Sequence, residues 1–408
     1  MNRLYRFFRT LFLAVPSGLL VACGGGGGGA SVVQETLHNF TNGQSGLVVN
    51  ASPATTTTLG FIGGNGAVGP DGRYYFPANN KILVFSSISA GDMQTPIATI
   101  EGWTPQNMGD VATFSQISAV VFNGQQIIVS DTANNRVLIW NDFKKLFENS
   151  MQPDVFIGQT SLSGTLGDCG TGNLNLPMGV TVISNKLAIA DYNNNRVLVF
   201  PNALNGDNTS NTDNPVVLGD PNFACTSPDL TATPQPILPD STLGPLWPSD
   251  VVSDGTHLVV ADYGFNRLLV WKASNLFTAA PPDMLLGKSL ARDNSVYPPS
   301  GTLTNAALYS PTSLAMRSGR LAVLDKGYNR VLVWNTLPTC DTTATCQAQF
   351  GTPVVLGQIN LSVPVPDTTI ISGNASGLTF TGLNQLVVST SDNNHINSSL
   401  TVFNATAP

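Results

Sequence analysis

Few residues in this chain are of types that do chemistry. Histidine occurs three times, at His38, His257 and His395, and glutamate three times, at Glu35, Glu101 and Glu148. No histidine lies at metal-ligand spacing, and no HExxH, GxSxG or Walker-type loop occurs. The Asn-rich runs at 191–195 and 392–394 offer oxygen ligands but lack the glycine and distal Glu of an EF-hand loop. No catalytic residue, no metal set and no cofactor is therefore expected. Calcium held by loop carbonyls and Asp stays an open alternative.

What the chain offers instead is repetition. Asp, three variable residues, Asn, Arg and an apolar run ending in an aromatic recur from Asp131 (DTANNRVLIW), Asp191 (DYNNNRVLVF), Asp262 (DYGFNRLLVW) and Asp325 (DKGYNRVLVW). The Arg positions are Arg136, Arg196, Arg267 and Arg330. Two weaker copies bracket these, FPANNKILVF at 76–85 and a segment from Thr390 to Phe403. A charge pair present in every copy serves the repeat itself, by pairing within or between units; a ring of ligand-binding acids is the alternative.

The elements that position these residues follow from the surrounding pattern. An apolar run precedes each strong copy, at 117–121, 178–182, 249–252 and 312–315, and a tight turn follows it, such as Asn123-Gly124 or Asp254-Gly255. Asn-Gly and Asp-Gly between apolar runs signal hairpins. A β-branched strand leads into the Asp, and a fourth run ending in Gly closes each unit, at 155–158, 216–219, 284–287 and 354–357. Four antiparallel strands per repeat at this period describe a propeller blade. Four strong and two degraded units predict an all-β, six-bladed β-propeller. The sixth unit lacks a fourth strand, which the N-terminal stretch 32–40 (VVQETLHNF) is expected to supply, closing the ring.

These phrases and the VLG runs after them resemble the NHL-repeat family of six-bladed propellers, over residues 32–408. The resemblance implies the fold; the family spans lyases, sensor domains and RNA- or protein-binding scaffolds. Its amidating lyases need several metal-binding histidines around the channel, an arrangement that His38, His257 and His395 do not match.

The start of the chain reads differently. Arg3, Arg6 and Arg9 precede an apolar stretch of about 13 residues, too short to span a bilayer, ending in Leu20-Val21-Ala22-Cys23. This resembles the lipobox of bacterial lipoprotein signal peptides, which implies that residues 1–22 are removed and Cys23 is acylated. An ordinary signal peptide with an incidental Cys is the alternative. Residues 23–31, with Gly24 to Gly29, form a flexible tether. The expected location is the bacterial cell envelope, with the membrane reached through the N-terminal lipid. The residue after Cys23 is not Asp, which favours the outer membrane. Losing Arg3, Arg6 and Arg9 and no acid moves the net charge from −7 to −10. An acidic body lacks the basic face that nucleic acid requires. In an exported protein the remaining cysteines are expected as two disulfides, Cys340 with Cys346 and Cys169 with Cys225.

In a four-stranded meander, the Asp-to-Arg turns share one face with the interblade loops at 159–176, 220–247, 288–310 and 358–374. That face carries Tyr192, Tyr263, Phe265, Tyr328, Trp247 and Tyr309, aromatics able to stack on a sugar or grip a peptide. Packing between blades is their alternative use. The expected function is a non-enzymatic envelope propeller binding a protein, peptide or glycan there. The competing expectation is a hydrolase or lyase using acids, and a divalent metal, in the central channel. It requires a channel-facing residue that breaks the repeat.

Overall fold

The structure, a computed structural model, describes residues 37–42, 44, 47–50, 64–88, 96–105, 107–148, 152–205, 214–219, 225, 235–236, 246–278, 280–287, 290–291, 308–337, 352–357, 375–391 and 398–406. Cys23, the tether, Cys340, Cys346 and His395 lie outside them. The propeller is one compact unit from Leu37 to Pro408.

Six four-stranded antiparallel sheets are present among the described residues, and each is a blade built of consecutive strands except the last. Blade 1 comprises Ala67–Val68, Tyr74–Ala78, Lys81–Phe85 and Ala98–Ile100. Blade 2 comprises Ile117–Asn123, Gln126–Asp131, Arg136–Trp140 and Val155–Ile157. Blade 3 runs through Pro177–Ile183, Lys186–Asp191, Arg196–Phe200 and Val216–Leu218. Blade 4 runs through Pro248–Ser253, His257–Asp262, Arg267–Lys272 and Met284–Gly287. Blade 5 runs through Pro311–Arg317, Arg320–Asp325, Arg330–Trp334 and Val354–Leu356. Blade 6 takes Ala375–Phe380, Gln385–Ser391 and Ser398–Asn404 from the C-terminal end and its outer strand, Leu47–Asn50, from the N-terminal end.

The N-terminal region thus closes the ring, but not with the expected stretch. Leu47 pairs with Val402 and Asn50 with Ser399. Of residues 32–40, the described part contributes an isolated bridge, Asn39 to Thr406, and a buried Phe40. The reason is composition: Leu47–Asn50 carries two β-branched residues, Val48 and Val49, and pairs along the outer edge, whereas the HNF end of the earlier stretch packs a single aromatic.

Each blade is sandwiched between two others, so its strands are buried on both faces and read as continuous apolar runs. All five residues of Arg136–Trp140 are buried, as are those of Arg196–Phe200. Successive side chains go to opposite seams. Val197 and Val199 join the core shared with blade 4, while Leu198 and Phe200 join the core shared with blade 2. One such core fills each of the six seams, and the last, with Phe76, Leu83, Val387 and Val402, seals blade 6 against blade 1.

The first strands of the blades surround a central cavity of about 300 Å³, lined from all six blades. In blades 2 to 6 each first strand has a register shift at its start, as between Pro248 and Asp250. The shift turns one residue out of the ladder. Ser249, at that place in blade 4, donates through Oγ to the Pro311 carbonyl of blade 5 at 3.0 Å.

Candidate functional site

The repeated Asp-to-Arg phrase forms the same device four times. Asp131, Asp191, Asp262 and Asp325 end the second strand of their blades, and a three-residue 3-10 turn follows each. The turn closes on an Asn in the left-handed region, with φ of 52° at Asn135, 55° at Asn195 and Asn266, and 49° at Asn329. Asparagine tolerates that conformation because its short side chain bonds locally.

The carboxylates are buried and point inward. Oδ2 accepts from the Arg Nε of the same phrase at 2.8 Å in the Asp131–Arg136, Asp191–Arg196 and Asp325–Arg330 pairs and at 2.5 Å in Asp262–Arg267. Oδ1 accepts a backbone N–H from the interblade loop: Ser115 at 2.6 Å, Asn175 at 2.8 Å, Trp247 at 2.7 Å and Tyr309 at 2.6 Å. Burial pushes the carboxyls of Asp191 and Asp325 up to about 6 against the pull of their arginines; Asp131 and Asp262 move the same way for the same cause. Each phrase therefore ties a hairpin to the loop that enters its own blade, and the Asn extends the tie onward. Asn135 Oδ1 accepts from Leu176 N, and Asn266 Oδ1 from Ser310 N, both at 2.7 Å and both in the following blade.

The same geometry decides the aromatics. Phe265 and Tyr328 occupy the third position after the Asp, where blades 2 and 3 have Asn134 and Asn194. Those asparagines donate to the Asp at 2.9 and 2.8 Å. The two aromatics instead stack on the guanidinium, with Arg267 5.2 Å above Phe265 and Arg330 5.0 Å above Tyr328. Phe265 is fully buried and Tyr328 nearly so, and burial pushes the Tyr328 hydroxyl up to about 12. Neither is presented to a ligand in solvent.

The remaining four are half-buried on the loop-rich face. Trp247 stands between Tyr192 and Tyr263, with ring centroids 5.8 Å from each, so the cluster bridges blades 3 and 4. Its seat requires glycine: a Cβ on Gly264 would meet the Trp247 ring at 2.3 Å. Tyr309 pairs separately with Tyr328 at 5.5 Å. Beside the cluster the interblade loops are tied. Cys169 and Cys225 are bonded, 56 residues apart in sequence. Gln235–Pro236 pairs antiparallel with Leu290–Ala291.

Sequence reasoning overlooked Asp250, buried beside the channel. It follows the bulge of the blade 4 first strand, at the place held by Ala119, Gly179, Ser313 and Gly377 in other blades. The signal was available, since Asp250 precedes Val251 as Ala119 precedes Val120 in the ungapped alignment of the repeats. It is 3% exposed. Oδ2 accepts from Asn65 Nδ2 at 2.6 Å and Leu314 N at 2.7 Å, and Oδ1 from Val251 N at 2.8 Å. Burial, without a basic partner among the described residues, pushes its carboxyl up to about 7 despite those donors. Asn65 reaches further, accepting from Ser313 Oγ at 2.6 Å. A Cβ at Gly179 would stand 2.0 Å from Asp250 Oδ1, so glycine makes room for the carboxylate. The Asn65–Asp250–Ser313 network lies where the first strands begin, at the loop-rich end of the channel. Asn65 and the residues beyond it line the cavity; Asp250 does not. Every Asp250 oxygen is engaged, and among the described residues no group of three His, Cys, Asp or Glu could hold a metal ion.

No protein-family model and no curated protein matches this chain. Solved structures similar to it include a streptogramin B lyase, at 11% identity and TM-score 0.43, covering 88% of this chain and 98% of that one. Virginiamycin B lyase from Staphylococcus aureus is similar at 9% identity and TM-score 0.43, with the same coverage. A chain of a nidogen/laminin complex is similar at 13% identity and TM-score 0.40, over 71% of this chain and 89% of that one. At such identities and scores no activity passes from those proteins to this one. The chain is a six-bladed β-propeller.

Proposed function

We propose that this chain is a lipid-anchored bacterial envelope protein of the NHL-repeat kind, held through acylated Cys23, at the outer membrane, whose loop-rich face binds a protein, peptide or glycan without catalysing a reaction. The observation that carries the reading is the Tyr192–Trp247–Tyr263 cluster, a half-exposed aromatic step across two blades. Aromatic planes of this kind offer large contact area at little conformational cost. Asn193, exposed beside Tyr192, donates to Asn175 Oδ1 at 3.3 Å, and these amides suit hydroxyl or peptide groups better than ions. The engaged state of Asp250 weighs against an acid catalyst at the axis.

The test is a photo-crosslinker placed at Tyr263 in the lipid-anchored protein in native envelopes, with a parallel probe at Asn205 on the opposite face. A defined partner captured from Tyr263 and not from Asn205, and lost with Trp247→Ala, is the expected result. Equal capture from both sites, or capture unaffected by Trp247→Ala, would sink the reading.

A further inference from the structure

The turn at the far end of blade 5 holds a charge that the rest of the ring does not explain. Arg320 opens the second strand of its blade. The corresponding residues Gln126, Lys186, His257 and Gln385 are partly exposed, and three of them have side-chain partners within the fold: Gln126 donates to Asn141 Oδ1, His257 meets Asp254, and Gln385 donates to Asn404 Oδ1. Arg320 is fully buried. Its Nη1 donates to the Leu383 carbonyl of blade 6, and its guanidinium lies 5.4 Å over the Phe40 ring. Among the described residues, its Nε and Nη2 have no acceptor.

Two further facts make this more than a packing defect. Arg317 stands directly across the hairpin from Arg320, so two like charges oppose each other. The described residues 37–42, 375–391 and 398–406 around this seam contain no Asp or Glu. The described acid of blade 5, Asp325, is engaged by Arg330 at the other end of its strand. Uncompensated positive charge persists here in a chain of net charge −7. A buried donor without an acceptor is costly, and more so when charged, so two on one guanidinium call for an acceptor. Nε and Nη2 project on the same edge of the guanidinium, as the fork that receives both oxygens of a carboxylate.

We propose that Arg320 is an anion site that takes one small carboxylate side-on, beneath the segment 37–42. That segment covers the site as a short strap. His38 N donates to Asn384 Oδ1 at 2.7 Å, Phe40 N to Asn335 Oδ1 at 3.4 Å, and Asn42 Oδ1 accepts from Val355 N at 2.9 Å. These three bonds and the Asn39–Thr406 bridge are few to break, so the strap opens locally without unfolding the ring. Filling the site secures the strap, and with it the N-terminal strand that closes the propeller.

The test uses the full-length protein with formate and acetate as probes, against chloride at matched ionic strength and against inorganic phosphate. The expected result is a saturable rise in Tm, of about 2 °C or more at large excess, with a saturable shift of the Arg320 Nε–H resonance in ¹⁵N-resolved spectra. Both responses should vanish in Arg320→Gln, and Arg320→Lys serves if that variant fails to fold, because lysine keeps the charge and loses the fork. Phe40→Leu should speed uptake and keep the shift. No response of the wild-type resonance to formate or acetate, an equal Tm response in the Arg320 variants, or a response to phosphate alone would overturn the proposal.

Discussion

Blade 5 holds two fully buried arginines, ten residues apart, with opposite circumstances. Arg330 meets Asp325 at 2.8 Å and stacks on Tyr328; Arg320 has one carbonyl and one ring, and two N–H groups without acceptors among the described residues. Asp262 and Asp250 of blade 4 make the same contrast among acids, the first paired with Arg267 and the second held by neutral donors alone. The paired groups recur from blade to blade and the unpaired ones do not. What recurs holds a hairpin to its interblade loop, a task every blade has. What breaks the repeat sits where the ring itself is singular, at the axis and at the seam where the two ends of the chain meet.

The comparison breaks most severely if one partner of a repeated pair is removed. Asp262→Ala leaves Arg267 buried without its carboxylate and should cost about 3–5 kcal/mol. Replacing both, Asp262→Leu with Arg267→Met, should recover a large part of that loss, since a buried pair is held against its own desolvation. Urea unfolding of the two variants measures the difference. If the double variant is no more stable than the single one, the repeated pair stabilises by more than its mutual attraction.

Blade 3 sharpens the comparison, because its repeat arginine, like Arg136 of blade 2, reaches carbonyls of the interblade loop, and here that loop carries a disulfide. Arg196 Nη2 donates to Gly170 O at 3.1 Å and Asn173 O at 2.9 Å, beside the Cys169–Cys225 bond. Closing a loop of 56 residues is worth up to about 4 kcal/mol by chain entropy. Cys169→Ser with Cys225→Ser should therefore lose about 2–4 kcal/mol, read by thermal unfolding. The loss should include raised amide exchange at position 225, whose N–H donates to the Asn194 carbonyl. Unchanged exchange there would separate the disulfide from the repeat.

How much of this was legible in the sequence follows the same division. The Asp-x-x-x-Asn-Arg phrase announced six blades because its residues are of types that only that turn needs: an Asn for the left-handed region, an Asp for two donors, an Arg for the buried end. The blade-to-blade alignment also carried Asp250, as an acid in a column of small residues. Phe265 and Tyr328 were not separable from Tyr192 and Tyr263 by pattern, since all follow the Asp within three positions. Burial under a guanidinium is a property of the turn's third position, which only the fold reveals. The closing strand was misplaced for a related reason. A stretch that pairs at an outer edge has no periodic demand on it, and 32–40 and 47–50 both supply apolar residues.

Asp250 offers a test by pH. Its carboxyl is raised from 3.8 to about 7 by burial, so between those values the folded protein holds a proton that the unfolded chain lacks. The resulting stability is full below about pH 4 and is lost as pH rises through about 7. Asp191 and Asp325 act in the same direction, through about 6. The wild type should therefore lose stability between pH 5 and pH 8, estimated from this linkage at ~1 kcal/mol or more. Asp250→Asn should be less stable by about 1–3 kcal/mol, because one side of the amide presents N–H to donors, and its profile should be shallower than that of the wild type as pH rises toward about 7. An unaltered slope in that interval would mean that Asp250 stays charged throughout, held by Asn65, Leu314 and Val251.

The smallest effect is expected where the repeat has moved to the surface. Blade 1 replaces the phrase with a two-residue turn, Asn79-Asn80, and the arginine with Lys81. Lys81 pairs with Glu101 at 2.7 Å, with side chains 36% and 58% exposed. Water screens such a pair, and removing it with Lys81→Ala should change stability by less than about 1 kcal/mol. Salt should diminish even that, whereas 0.5 M salt should leave the Asp262→Ala loss intact, because its charges are enclosed. Blade 1 can do without the buried device because its second strand brings its own anchor: Tyr75, fully buried, donates to Asp71 at 3.0 Å and packs edge-on against Phe122 of blade 2 at 4.9 Å. Tyr75→Phe should thus cost more than Lys81→Ala. The reverse order would place the strength of this blade in its surface pair and would remove the distinction between repeated and singular contacts at its first member.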